Sequence, residues 1–208
     1  MSSMTKLGMA IDLARCMGCQ TCTNACKMEN NVPMNMLWSR VITQGADIID
    51  GATGVYPDLS REYLPIACQH CENPACLKVC PVGATYKDDE GRVLIDYERC
   101  IGCRYCMAAC PYNARLFNWG EPVHDPGFRY GHKDVPVRHK GIAEKCTFCV
   151  ERTGEGLEPM CVRCCPAKAR IFGDLDDPAS ALSEAIRQRG GEQLMEEKGT
   201  APQVYYLK

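Results

Sequence analysis

Cysteine is the residue whose number and spacing in this chain could do chemistry. Seventeen of the 208 residues are cysteine, and sixteen of them fall into four local groups of four. Thiolates gathered in this way bind soft metal ions or iron-sulfur clusters. The four groups, in chain order, are Cys16, Cys19, Cys22, Cys26; Cys68, Cys71, Cys76, Cys80; Cys100, Cys103, Cys106, Cys110; and Cys146, Cys149, Cys161, Cys165.

The groups are two kinds of repeat in alternation. The first and third share the form CxxCxxCxxxC, and their surroundings, "AIDLARCMGCQTCTNAC" and "LIDYERCIGCRYCMAAC", align without a gap. The second and fourth share a looser form: CxxC, an insertion, then CxxxCP. A unit that recurs in this way predicts a repeated structural element.

This spacing predicts cubane [4Fe-4S] clusters. Three close cysteines can surround one cluster, and the fourth, three or four residues on, ligates the other cluster of a pair. Gly18 and Gly102 ease the close approach of the backbone in the first and third groups. The fourth cysteine of a group is expected at the start of a helix, with Pro81, Pro111 and Pro166 in the first turn.

Two other uses of cysteine fit the pattern less well. Disulfide scaffolds are short secreted domains, whereas this chain has an odd cysteine count, local clustering and no export signal. Structural zinc sites use two cysteine pairs, whereas these groups have three close cysteines and a fourth at a fixed offset. Cys164 remains outside the groups and is expected to be a buried free thiol; its exchange with Cys165 is the alternative.

The lengths of the links predict which groups share clusters. Residues 81–99 separate the second and third groups and read as a hairpin, "ATYK", "DDEG", "RVLID", so these two groups form one module. The first and fourth groups then form the other, with "LGMAID" and "ARIFG" as flanking strands; pairing one with two and three with four is the alternative. The predicted ligand sets are Cys16, Cys19, Cys22, Cys165; Cys26, Cys146, Cys149, Cys161; Cys68, Cys71, Cys76, Cys110; and Cys80, Cys100, Cys103, Cys106.

The elements that position these cysteines predict an α+β fold. It comprises two bacterial-ferredoxin-like 2[4Fe-4S] modules related by internal duplication, with long loop insertions and a C-terminal helix plus tail. The predicted organisation is 1–62, first part of module A; 63–118, module B; 119–175, excursion loop and second part of module A; and 176–208, C-terminal helix and tail.

The C-terminal helix carries its own start and stop signals. Asp176 or Asp177 is expected to cap it, with Pro178 at its start and Gly190 at its end. Its apolar residues Leu182, Ala185 and Ile186 fall on one side, and the closing "APQVYYLK" has the composition of a strand.

Several residues near the groups invite a functional interpretation. Lys27 and Arg104 could raise the potential of a neighbouring cluster, and a solvated surface charge is the equal alternative for each. His70 is expected to face solvent. Loop positions without a metal-binding role are expected for His124, His132 and His139, and packing against the neighbouring domain for Met34, Met36 and Trp38.

Composition and motifs exclude other classes of protein. The formal net charge of −2 gives no basic face for nucleic acid. Apolar runs are far shorter than the ~20 residues that cross a bilayer. There is no GxSxG, no phosphate-binding loop and no GxGxxG after a strand, so no catalytic constellation is expected.

The chain resembles the four-cluster electron-transfer subunit of dimethyl sulfoxide reductase-type molybdopterin oxidoreductases. The resemblance covers nearly the whole chain and is carried by "GMAIDLARCMGCQTCTNACKMEN", "CQHCENPACLKVCPVGATYK", "DYERCIGCRYCMAACPYNAR", "EKCTFCVER", "ARIFGDLDDP" and "GTAPQVYYL". Nitrate reductase-like relatives often replace one ligand of the third group. Cys103 is present here, which favours four cubane clusters.

The resemblance implies a non-catalytic subunit of a respiratory oxidoreductase complex. Such a subunit carries single electrons between a large catalytic subunit with a molybdenum or tungsten bis-pyranopterin centre and a quinol-linked membrane anchor or a soluble donor. It implies a membrane-associated complex, extracytoplasmic by co-export with the catalytic subunit or else cytoplasmic. A free-standing polyferredoxin is the alternative.

Overall fold

The computed structural model describes residues 5–45, 51–123 and 130–208. Short strands and helices alternate along them. In chain order they are β1 (Leu7–Asp12), α1 (Thr21–Glu29), β2 (Arg40–Gln44), β3 (Thr53–Val55), β4 (Asp58–Ser60), β5 (Glu62–Ile66), α2 (Ala75–Lys78), β6 (Thr85–Lys87), β7 (Val93–Ile95), α3 (Tyr105–Ala108), β8 (Leu116–Phe117), β9 (Ala143–Glu144), α4 (Val150–Gly154), α5 (Met160–Arg163), β10 (Arg170–Asp174), α6 (Ala181–Arg189), β11 (Glu192–Gln193) and β12 (Val204–Leu207). The α+β class predicted from the sequence is confirmed.

The largest sheet joins the two ends of the chain. Its strand order is β10-β1-β12-β11. Strand β1 is antiparallel to β10, with Ile11 opposite Arg170, and parallel to β12, with Met9 opposite Val204. All six residues of β1 are buried, as a central strand covered on both faces requires. The strands predicted in "LGMAID", "ARIFG" and the closing segment are confirmed.

The remaining strands form two-stranded pairs along the chain. Strands β6 and β7 pair from Thr85 opposite Ile95 to Lys87 opposite Val93, which confirms the predicted hairpin between the second and third cysteine groups. Strand β2 pairs with β5, β3 with β4, and β8 with β9.

Helix α6 ends as predicted but begins differently. Its end is at Gly190, whose φ of 65° suits glycine. Its N-cap is Ser180, whose Oγ accepts a hydrogen bond from the Ser183 N–H at 3.1 Å. An Asp176 or Asp177 cap was therefore wrong, because Asp177 Oδ1 instead accepts from the Ala179 N–H in the turn before the helix.

The short helices also correct the expected place of the fourth cysteines. Helices α2, α3 and α5 have four residues each and end before Cys80, Cys110 and Cys165 respectively. The cysteines therefore follow a helix rather than begin one. The prolines after them stand in the turn beyond the helix, another position that proline favours because it cannot continue the helix.

The main core is built around thiols. One cluster of buried side chains joins Cys68, Cys146 and Cys161 with apolar residues of β1, β12 and the fourth cysteine group. A second cluster packs Leu182 of α6 against Ala10 and Leu207 of the sheet. The described part of the chain has no helix with the length and apolarity needed to cross a bilayer.

Candidate metal centres

Cysteines from distant parts of the chain line three enclosed cavities. The first cavity brings together Cys16, Cys19, Cys22 and Cys165. The second is lined by Cys26, Cys146, Cys149 and Cys161, and also by Cys68. The third is lined by Cys80, Cys100, Cys103 and Cys106.

Four further thiols form a fourth set. Burial first, and then the nearby Cys68, Cys76 and Cys110 thiols, raise the pKa of Cys71 to about 12. The Cys110 thiol is in turn within electrostatic range of Cys68 and Cys76. Cys68, Cys71, Cys76 and Cys110 therefore face one another.

Neighbouring sets approach each other through a few cysteines. Cys22 of the first cavity lies within electrostatic range of Cys161 in the second. Cys146 of the second lies within range of Cys68. Cys76 lies within range of Cys106 in the third cavity. These contacts arrange the four sets in a row, with the second cavity and the Cys68 set in the middle.

Burial differs between the middle and the ends of the row. All four cysteines of the second cavity are buried, and burial raises the pKa of Cys146 to about 12. At the ends, Cys19 is exposed, and Cys80 and Cys100 are partly exposed. The second set is therefore the most deeply buried, and the first reaches the molecular surface at Cys19.

A left-handed residue recurs in every CxxC loop. The residue before the second cysteine has φ of 69° at Gly18, 43° at His70, 68° at Gly102 and 57° at Phe148. This conformation lets a short loop curl around its sulfurs, and glycine adopts it at little cost. Only the two glycines were recognisable from the sequence.

His70 and Phe148 stabilise each other in the two loops that lack glycine. Their rings stack with centroids 3.7 Å apart and an interplanar angle of 17°. The His70 Nδ1 accepts a hydrogen bond from the Val93 N–H at 3.2 Å. Burial lowers the pKa of His70 well below its usual value, so the ring is neutral. The expectation that His70 faces solvent was wrong. His70 occupies the loop position that is glycine in the first and third groups, and its buried ring packs on Phe148.

Cys164 is exposed, so the expectation of a buried thiol was also wrong. It is the residue after α5, where the side chain points outward and its Sγ contacts only the Met160 Sδ at 3.3 Å among its described partners. Cys165, the next residue, lines the first cavity.

The functional residues that the sequence did not reveal are buried cations. Arg115, Lys145 and Arg170 are 2%, 1% and 6% exposed and lie among the cysteines. A signal was present: "CPYNAR" at 110–115 and "CPAKAR" at 165–170 place an arginine five residues after a fourth cysteine.

The two cations singled out from the sequence also make contacts away from the sulfurs, although Arg104 lines the third cavity. Lys27 Nζ donates to the carbonyl oxygens of Pro33, Met34 and Met36 at 2.6 to 2.9 Å, so it fastens the loop after α1. The Arg104 guanidinium lies 4.6 Å from the centroid of the Trp119 ring, an exposed cation-π contact.

The methionines, Trp38 and the loop histidines have mixed outcomes. Met36 and Trp38 are buried against Cys26, whereas Met34 is 66% exposed. His132 Nε2 lies 3.2 Å from Glu155 Oε1, and His139 is exposed. His124 lies outside the described residues.

The donor sets fit iron-sulfur clusters better than other metals. Each set offers four cysteine sulfurs and neither carboxylate nor imidazole. Soft thiolate ligands of this kind select Fe-S clusters, zinc or Cu(I). The left-handed loops turn backbone N–H groups toward the sulfurs: the Phe148 N–H donates to Cys146 Sγ at 3.4 Å. Hydrogen bonds of this kind are a regular feature of cluster sites.

Comparisons with known proteins agree with this chemistry. A family model described as a 4Fe-4S dicluster domain matches residues 59–125 and 133–175. A Halobacterium salinarum protein named for the iron-sulfur subunit of a dimethyl sulfoxide reductase is 56% identical over 210 residues, with 98% of this chain and 79% of that protein aligned. A selenate reductase subunit of Mesobacillus selenatarsenatis is 42% identical over 214 residues, with 96% of this chain and 70% of that protein aligned.

A third relative has menaquinone in its name. The iron-sulfur cluster-binding subunit of menaquinone reductase from Nitratidesulfovibrio vulgaris is 40% identical over 227 residues, with 97% of this chain and 88% of that protein aligned. All three names describe subunits of reductases.

Proposed function

Since the chain belongs to the 4Fe-4S dicluster family of reductase iron-sulfur subunits, we propose that it connects a molybdopterin-containing catalytic subunit with a quinol-linked membrane anchor or a soluble donor. It is an electron-transfer subunit with four [4Fe-4S] clusters. The observation that carries the proposal is the succession of four neighbouring cysteine sets, of which the second is fully buried and the first reaches the surface at Cys19.

We assign one cluster to each set. The assigned ligands are Cys16, Cys19, Cys22 and Cys165; Cys26, Cys146, Cys149 and Cys161; Cys68, Cys71, Cys76 and Cys110; and Cys80, Cys100, Cys103 and Cys106. The three cavities and the mutual proximity of the Cys68 set support this assignment. In the alternative pairing, Cys165 would join Cys100 instead of Cys16 and Cys22.

The residues around the sets determine what the clusters can do. Bound [4Fe-4S] clusters supply one-electron oxidation and reduction without a change of ligands. The chain holds the ligands in short loops, packs the buried Phe148, Val162 and Ile11 around the second set, and leaves Cys19 of the first set exposed. No residue outside the sets needs to react.

We further propose that the fold is an internal duplication. In each half, the strand before a CxxCxxC group pairs antiparallel with the strand after a CxxxCP group: β7 with β6, and β1 with β10. Residues 1–62 and 119–175 would form one module, 63–118 the other, and 176–208 the C-terminal helix and tail. Because β12 pairs with β1, the tail completes the sheet of the first module.

The partner is inferred from the names of the relatives. Dimethyl sulfoxide and selenate reductases act on different substrates, so we place substrate choice in the catalytic subunit rather than in this chain. The relative named for menaquinone reductase supports a quinone-linked route for electrons. We therefore propose a membrane-associated respiratory complex.

The ligand assignment is tested by replacing a crossing ligand. In Cys110→Ser, we expect the electron paramagnetic resonance signal of the cluster held by Cys68, Cys71 and Cys76 to change, with the other three signals kept. Cys164→Ser is the matched control, because Cys164 is exposed and outside every set. A change confined to the cluster held by Cys146, Cys149 and Cys161 would refute the assignment.

The function is tested on native material. Anaerobic purification should yield about 16 iron and 16 sulfide per chain, as four cubanes require, together with a large molybdenum- or tungsten-containing protein. A chain that elutes alone with all its iron would contradict the subunit role. Zinc in place of iron would contradict the clusters themselves.

A further inference from the structure

Three buried cations have no carboxylate partner. In the described ranges, no aspartate or glutamate forms an ion pair with Arg115, Lys145 or Arg170. Arg92, another buried arginine, pairs with both Asp88 and Glu90. An unpaired buried charge is costly. The counter-charge of the three cations must therefore come from the neighbouring cysteine sulfurs.

Arg170 stands where the first two sets meet. Its side chain lines both the first and the second cavity. Its Nη2 lies 3.5 Å from Cys22 Sγ, and it is within electrostatic range of Cys161. These are the two cysteines through which the first and second sets approach each other.

Arg115 has the corresponding place at the other end of the row. Its Nη2 donates to Cys76 Sγ at 3.0 Å, and it is within electrostatic range of Cys106. Its Nη1 donates to Thr85 Oγ1 at 3.1 Å, which fixes the plane of the guanidinium. It also lines the third cavity.

Lys145 lies at the middle junction. Its Nζ is held by the Val93 carbonyl oxygen and by the Cys146 carbonyl oxygen at 2.7 Å. It is within electrostatic range of Cys146 in the second cavity and of Cys68 and Cys76 in the next set. Each of the three junctions in the row therefore holds one cation.

We propose that Arg170, Lys145 and Arg115 are positioning residues of electron transfer, each raising the reduction potentials of the two clusters on either side of its junction. The proposal rests on the proposed function. Reduction adds one negative charge, and a fixed positive charge in a buried, weakly screening place favours the reduced form. Hydrogen bonds to the cysteine sulfurs act in the same direction.

Sharing each cation between two neighbours has a further consequence. A positive charge beside only one of the two clusters would raise the reduction potential of that cluster alone and leave a difference in potential between the neighbours. A positive charge between the two clusters raises both reduction potentials, so the difference between them stays small. One electron passes from donor to reductase partner at a time, and no bond forms or breaks in the chain.

The test measures potentials in the complex purified with its catalytic partner. Redox titration followed by electron paramagnetic resonance compares wild type with Arg170→Gln, Lys145→Gln and Arg115→Gln. Each variant should lower the midpoint potentials of the two flanking clusters and leave the other two unchanged. Arg170→Lys, Lys145→Arg and Arg115→Lys keep the charge and should stay near wild type. Arg163→Gln, an exposed arginine in α5, is the control.

The outcomes separate this proposal from the function it rests on. The iron and sulfide content shows whether the clusters are bound, and the midpoint potentials show whether the cations influence them. Full iron with unchanged potentials in the glutamine variants would overturn the proposal and leave the function intact. If a glutamine variant loses iron, the charge-keeping variant decides: retained clusters at wild-type potentials support the proposal, and equal loss of iron shows that the side chain's shape matters instead.

Discussion

Two different solutions to one conformational problem are visible in the CxxC loops. Every loop needs a residue at positive φ before its second cysteine. Gly18 and Gly102 meet this need without strain, whereas a side chain at positive φ costs of order 1 kcal/mol or more. His70 and Phe148 compensate by stacking on each other in the core.

The stacked pair leads to a prediction about His70. His70→Ala removes a fully buried ring and the acceptor of the Val93 N–H. Loss of a large buried side chain costs about 2 to 4 kcal/mol, which is roughly 5 to 15 °C for a chain of this size. The temperature at which the visible cluster absorption bleaches should fall by that amount.

His139→Ala is the matched control for this variant. His139 is exposed, and the one hydrogen bond found at it uses its backbone oxygen, which alanine keeps. Its bleaching temperature should equal that of wild type. Equal shifts in the two histidine variants would show that the His70 ring contributes no packing.

At the level of elements, the sequence predicted strands better than helix boundaries. The strands at "LGMAID", "ARIFG" and the hairpin around "DDEG" follow from apolar composition and turn residues, which are local signals. Helices α2, α3 and α5 beside the cysteines have four residues each, too few to show a 3.6-residue period. Proline after Cys80 and Cys110 was ambiguous, because proline is common both at the start of a helix and just beyond its end.

The features of the site also divide into those that local sequence patterns predict and those that depend on distant contacts. The repeated spacing predicted the sixteen ligand candidates and their sets, because the cysteines of one group lie only a few residues apart in the sequence. The burial of His70, the exposure of Cys164 and the places of Arg115, Lys145 and Arg170 depend on contacts between distant segments. Arg170, for example, meets Cys22 from 148 residues away. No local pattern fixes such contacts.

The loop of the third group depends on the absence of a side chain at Gly102. A Cβ there would lie 2.3 Å from the Gly141 carbonyl oxygen, a backbone atom that cannot turn aside, and φ is already +68°. We expect Gly102→Ala to displace the loop and to lower the iron content by about one cluster, measured as iron per chain.

Gly154→Ala provides the comparison. Gly154 lies in α4, where an added Cβ meets nothing within 4 Å, and alanine favours helix. This variant should keep all of its iron. Full iron in Gly102→Ala would mean that the contact with Gly141 does not constrain the loop.

For the whole molecule, the clusters are part of the core rather than additions to it. The main buried cluster contains Cys68, Cys146 and Cys161, and the smaller cluster around Met36 and Trp38 contains Cys26. The three buried cations face these sulfurs and no carboxylate. Stripped of iron, the neutral thiols would leave the three buried cations without a negative counter-charge, which costs several kcal/mol for a buried ion, against a typical total stability of about 5 to 15 kcal/mol.

We therefore expect removal of iron to unfold the chain. After anaerobic treatment with an oxidant and a chelator, far-ultraviolet circular dichroism should lose most of its strand and helix signal, and the hydrodynamic radius should increase. The same chelator without oxidant, which leaves the clusters bound, is the control and should change neither. A colourless, iron-free chain that kept its radius would show that apolar packing around β1 and α6 holds the fold alone. In that case the neutral thiols and the carbonyl oxygens around Lys145, which is 1% exposed, would suffice to hold a buried cation.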